Sequence, residues 1–74
     1  MPELDIGKAL KTLRKKNGMS QWTVAMASGL KPEYISRLET RRIKNPRIQT
    51  IFKLAKVFKI EPSEFLEYAQ NKKS

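Results

Sequence analysis

The sequence predicts an all-α fold, a compact bundle of five short helices. Apolar residues recur every three or four positions along the chain, and no four-residue run alternates apolar with polar as a half-buried strand would. Gly18, Gly29, Pro32, Pro46 and Pro62 fall at the edges of the periodic segments, where turns and helix starts place such residues. The length of 74 residues makes one domain, close to the size at which a single apolar core just suffices. No internal repeat, linker or low-complexity tract interrupts it.

The first helix is expected from Leu4 to Lys16. Ile6, Ala9, Leu10 and Leu13 share one face, with Lys8, Lys11 and Lys15 on the other. Asn17-Gly18 ends it, with Gly18 suited to the left-handed conformation. Ser20 is a good N-cap for the second helix, and Met19 is placed to pack on Val24 as a hydrophobic staple. Ser28-Gly29-Leu30 is the next break. The third helix runs from about Pro32 to Glu39, followed by a polar, basic loop from Thr40 to Asn45 that Pro46 closes.

A fourth helix is expected from Gln49 to Phe58, with Ile51, Leu54, Ala55 and Phe58 buried and Lys53, Lys56 and Lys59 outside. Pro62 fits the first position of the fifth helix, whose inward candidates are Phe65 and Leu66. The tail, about residues 70–74, is expected to fray.

Composition narrows the function. The chain has no cysteine and no histidine, which excludes disulfide staples and the usual zinc sites. No metal and no cofactor is expected. The N-terminus lacks a basic segment followed by an apolar run, and no apolar stretch approaches the ~20 residues that span a bilayer. A cytoplasmic domain without membrane contact is the expectation.

Sixteen Lys and Arg face seven Asp and Glu, a net charge of +9. Between Lys8 and Lys59 stand fourteen basic residues against only Glu33 and Glu39, whereas the last fifteen residues carry −1. A basic field so concentrated suits a polyanion, and nucleic acid is the common one. Solvated lysines on a small basic domain are the plainer reading of charge alone.

Spacing is more specific. Val24 and Ala25 face inward on the second helix, Gly29 makes the turn, and Ile35 and Leu38 are core residues of the third. A small residue at 25 and a glycine four positions on let two helices cross closely, as a helix-turn-helix over about residues 20–39 requires. From Leu13 to Leu66 the chain resembles the Cro/C1-type (XRE) helix-turn-helix proteins, the lambda-repressor-like family of phage and small bacterial regulators. Leu13-Arg14, Met19-Ser20-Gln21, Val24-Ala25, Gly29, Tyr34-Ile35-Ser36, Leu38-Glu39, Asn45-Pro46, Leu54-Ala55 and Phe65-Leu66 carry the resemblance.

The resemblance implies sequence-specific binding of double-stranded DNA by a homodimer, with the third helix in the major groove. At 100° per residue Pro32, Glu33, Ser36 and Arg37 span an arc of about 140° opposite Ile35 and Leu38. Base reading is therefore expected of Lys31, Pro32, Glu33, Ser36 and Arg37. The Arg37 guanidinium matches guanine O6 and N7, and Glu33 can accept from cytosine N4. A solvated Glu33–Arg37 pair is the plainer alternative.

The resemblance implies that Gln21 grips a phosphate, with a plain surface glutamine as the alternative. Ser20 beside it, and Thr40, Arg41, Arg42, Lys44 and Asn45 on the loop directly after the third helix, are the further phosphate candidates. A basic loop that serves solubility is the plainer reading of the loop alone. Gln21 lies at a helix N-terminus, where free N–H groups favour an anion, and in the family it also braces the recognition helix. Arg47 is the candidate for the minor groove. Arg14 and Glu39 match family positions that form a partly buried salt bridge.

Three residues depart from the family pattern. Arg41 stands where glycine is frequent, so it must adopt another cap geometry or a positive φ. Arg47 is a poor N-cap for the fourth helix. Trp22 stands where a polar residue is usual, and it shares a helix face with Met26. Core packing, stacking along the DNA backbone and contact with a partner protein are all open to it.

The leading expectation is a transcriptional regulator, acting as a repressor on an inverted repeat. A controller of restriction–modification, a phage switch or an antitoxin would each suit it. Its homodimer surface is sought on the fifth helix and on Phe52, Val57 and Tyr68. The alternative is a protein-interaction module on the same fold, using Trp22, Met26 and Phe52. An enzyme is not expected: histidine and cysteine are absent, and no carboxylate cluster or glycine-rich phosphate loop is present.

Overall fold

A computed structural model describes residues 4–70. Five helices follow in order: α1 (Ile6–Lys16), α2 (Gln21–Ser28), α3 (Pro32–Glu39), α4 (Ile48–Val57) and α5 (Pro62–Ala69). Among the described residues the one strand-like feature is an isolated antiparallel bridge between Leu4 and Gln70.

That bridge corrects the expected start of α1. Leu4 is not helical; it lies extended against Gln70, and the Asp5 N–H donates to the Ala69 carbonyl at 2.7 Å. Asp5 is the N-cap, its carboxylate accepting from the Lys8 N–H at 3.0 Å. Gln70, expected to begin a frayed tail, is thus tied down, and the rest of that tail lies outside the described residues. α4 is displaced by one residue from expectation, with Ile48 inside it and Phe58 as its C-cap.

The core draws on all five helices. Leu10, Val24, Ile35, Leu38, Leu54 and Phe65 are its largest fully buried side chains. Each contributes about 1.5–3 kcal/mol by leaving water. Ile6, Ala9 and Ala69 are also buried, so α1 and the end of α5 contribute to the same core. α1 packs against α3 and α5, α2 against α3 and α4, and α4 against α5. Leu66 and Val57 are half-buried against this core, as is Tyr68, whose hydroxyl accepts from Lys16 Nζ at 2.8 Å. Val57 and Tyr68 are therefore not the exposed apolar residues expected of them.

Glycine matters most at position 7. A methyl group there would run into the Leu38 carbonyl, so Gly7 lets α1 lie directly against the end of α3. Gly18, Arg41 and Lys59 share a different role. Each follows a helix C-cap in the left-handed region, at φ 64°, 64° and 59°. The two N–H groups closing each turn reach back to carbonyls of the last helical turn, as in a Schellman motif. In two of the three cases the residue is basic rather than glycine.

Candidate nucleic-acid interface

α3 is placed by the chain on either side of it. Ser20 caps α2, its hydroxyl accepting from the Thr23 N–H at 3.0 Å. Gly29, at φ 75°, ends α2, and the Ser28 hydroxyl accepts from the Leu30 N–H at 3.2 Å to tighten the turn. Lys31 is extended (φ −73°, ψ 144°), as the residue before a proline should be, and Pro32 opens α3 without losing a helical donor. Ala25, only 2% exposed, admits the close approach.

The inner face of α3 is sealed, with Ile35 and Leu38 fully buried. Its outer face is open: Lys31, Pro32, Glu33 and Arg37 are exposed and Ser36 is half-buried. Glu33 and Arg37 approach only to 4.0 Å and remain 83% and 58% exposed, so the pair does not tie up the guanidinium. Such contacts between exposed residues contribute little, and both side chains are free to turn to a ligand.

Beneath this face lies a charged strut. Arg14 Nε donates to Glu39 Oε2 at 2.6 Å and Nη2 to Oε1 at 2.9 Å, while Nη1 donates to the Met19 carbonyl at 3.0 Å. The Glu39 hydrogen bond raises the Arg14 pKa against the lowering effect of burial. Gln21 joins the same carboxylate, its amide donating to Oε1 at 3.2 Å. The strut thus connects the end of α1, the start of α2 and the last turn of α3.

The segment after α3 carries most of the remaining site candidates. The Thr40 hydroxyl donates to the Ser36 carbonyl at 2.9 Å, and Ser20 is likewise occupied with Thr23, so both hydroxyls already have local partners. Arg41 reaches across to Asp5, whose Oδ2 accepts from Nε at 2.9 Å. Arg42, Lys44, Asn45 and Arg47 are exposed, and among the described residues no side-chain hydrogen bond or ion pair engages them. Arg47 precedes α4 without capping it.

Trp22 and Met26 are 62% and 66% exposed, which removes the core reading of Trp22 and leaves that side of α2 uncovered. Phe52, on α4, is 52% exposed. Two residues that position the site escaped the sequence reading. Asp5 is masked in the sequence because Leu4 extends the apolar pattern past it, although aspartate before an amphipathic run is a cap signal. Gly7 is readable as a glycine inside a helical pattern, where it costs about 1 kcal/mol against alanine unless packing requires it.

The comparisons agree with this geometry. A helix-turn-helix family model matches residues 10–65. The HTH-type transcriptional regulator PuuR of Escherichia coli (strain K12) is 41% identical over 59 residues, covering 80% of this chain and 31% of that protein. The chain therefore corresponds to about a third of that relative's length. Among solved structures, the restriction-modification controller protein C.AhdI from Aeromonas hydrophila is 39% identical, with a TM-score of 0.75 over 84% of this chain and 92% of its own. SinR, the master regulator for biofilm formation, solved in complex with DNA, is 31% identical with a TM-score of 0.77. That match covers 82% of this chain and 97% of the SinR chain, and the SinR DNA-binding domain is from Bacillus subtilis. The chain belongs to the Cro/C1-type (XRE) helix-turn-helix family of DNA-binding transcriptional regulators.

Proposed function

We propose that this protein reads a specific double-stranded DNA sequence as a homodimer in the cytoplasm and acts as a repressor at an inverted repeat. The observation that carries the proposal is the uncovered outer face of α3, flanked by Arg42, Lys44 and Arg47, whose side chains have no partner among the described residues. Arg37 is the principal base reader, through guanine, with Lys31, Glu33 and Ser36 beside it; the Pro32 ring offers an apolar contact for a thymine methyl. Gln21, the α2 N-terminus and Arg41, Arg42, Lys44 and Asn45 grip phosphates, and Arg47 enters the minor groove. The occupied hydroxyls of Ser20 and Thr40 act mainly by fixing the backbone at those contacts. The SinR–DNA complex and the controller role of C.AhdI support this reading by likeness.

The test is binding to duplex DNA at rising salt. With several phosphates neutralised, log affinity should fall by about 0.9 per contact for each unit of log salt. Affinity indifferent to salt removes the proposal.

A second reading draws on Trp22, Met26 and Phe52, large side chains that the fold leaves uncovered. They supply the surface of a protein-interaction module whose DNA binding is weak. Weak, salt-insensitive DNA binding by the wild type, together with loss of a protein partner in a Trp22→Ala, Met26→Ala variant, would favour it.

A further inference from the structure

Arg41 combines an unfavourable backbone with a well-held side chain. At φ 64° it occupies the left-handed position that closes α3, where glycine fits at lower cost. Its guanidinium is held from one side: Nε donates to Asp5 Oδ2 at 2.9 Å, and Nη2 lies 2.9 Å from the same oxygen. The remaining N–H donors of the fork are not used by Asp5, and the side chain is 55% exposed.

Asp5 is a fixed anchor. Its side chain is 17% exposed, its other oxygen accepts from the Lys8 N–H, and its own N–H is bonded to Ala69. Arg41 also lines, with Lys8, Lys11, Lys15 and Glu39, a cleft of about 250 Å³ between α1 and the turn. Four basic side chains there face one carboxylate, which is already paired with Arg14, so the cleft is net positive and favours an anion.

We infer that Asp5 is a positioning residue for DNA binding: it holds one edge of the Arg41 guanidinium so that the other edge meets a backbone phosphate in a preset geometry. The inference rests on the DNA-reading proposal above. It also opposes simple electrostatics, in which a carboxylate beside DNA only repels it and its removal tightens binding.

Asp5→Asn and Arg41→Gly separate the two. Asparagine caps a helix as well as aspartate does, and glycine relieves the left-handed backbone, so both variants should fold. Each single variant and the double variant are titrated with a short mixed-sequence DNA duplex at several salt concentrations. Asp5→Asn should weaken binding about threefold and make its salt dependence shallower, despite removing a negative charge. In the Arg41→Gly background the same substitution should cause no further weakening.

Tighter or unchanged binding by Asp5→Asn overturns the positioning role and leaves the DNA reading standing. Equal weakening in both backgrounds also overturns it, because Asp5 would then act only through the stability of α1. If the wild-type protein shows no salt-dependent binding at all, both proposals fall.

Discussion

Arg14 and Glu39 meet in a two-point ion pair, at 2.6 and 2.9 Å, that spans the end of α1 and the end of α3. Glu39 is the more deeply placed, at 4% exposure against 13% for Arg14. The carboxylate would therefore suffer more from losing its partner. Arg14→Ala should cost about 3 kcal/mol, the range for breaking a buried pair, and Glu39→Ala somewhat less. Urea denaturation of both variants checks the order as well as the size. Equal, small losses typical of surface pairs would show that the strut does not hold α3.

Gly7→Ala reverses an ordinary expectation. Alanine gains up to about 1 kcal/mol over glycine by helix propensity, with less of that gain in the first turn, where Gly7 lies. Here its methyl meets the Leu38 carbonyl, so α1 must move off α3. The variant should melt below the wild type, by several degrees for a domain of this size. A higher melting temperature would show that α1 and α3 are not in backbone contact.

Acid should remove what Asp5 contributes to stability. Partial burial raises its pKa, but the Lys8 N–H and the Arg41 guanidinium outweigh that and hold it below the ordinary 3.8. A folded pKa lowered in this way gives stability that is present above the unfolded pKa and lost as pH falls through the folded one. The stability difference between wild type and Asp5→Asn should be constant near neutrality and shrink below pH 3.8. A difference that does not change with pH would mean that the Lys8 N–H and the Arg41 guanidinium together do not outweigh burial in solution.

These predictions rest unequally on what the sequence shows. α3 was legible at both ends, because Pro32 fixes its start and Ile35 and Leu38 mark its inner face locally. Gly18 and Gly29 announced their left-handed turns; Lys59 did not, since a lysine carries no such signal. The start of α1 is not legible because Leu4 continues the apolar pattern, while its pairing with Gln70 is invisible to any local window. The Asp5–Arg41 contact, between residues 36 apart in the chain, was hidden for the same reason. Trp22 is exposed because helical spacing puts it on a side of α2 that no other helix covers, and periodicity alone does not say how many helices surround α2.

Arg37 and Arg42 should fail differently in binding. Arg37 sits on the open face of α3, so Arg37→Ala should cost about 1–3 kcal/mol on the preferred sequence and relax choice at one base pair. Arg42 lies on the segment beyond it. Arg42→Ala should weaken all sequences alike and lower the salt slope by about one. Binding measured on a matched and a mismatched duplex at several salt concentrations separates the two patterns. Identical patterns would mean that α3 does not read bases.

The most direct test of DNA reading by α3 is selection of bound duplexes from a random-sequence pool, with wild-type protein and Arg37→Ala side by side. The wild type should return an inverted repeat whose half-sites lie about one helical turn, 34 Å, apart, as two symmetry-related recognition helices require. Arg37→Ala should return the same repeat with a guanine position relaxed. A wild-type pool with no enriched motif, or a motif that Arg37→Ala leaves untouched, would contradict it.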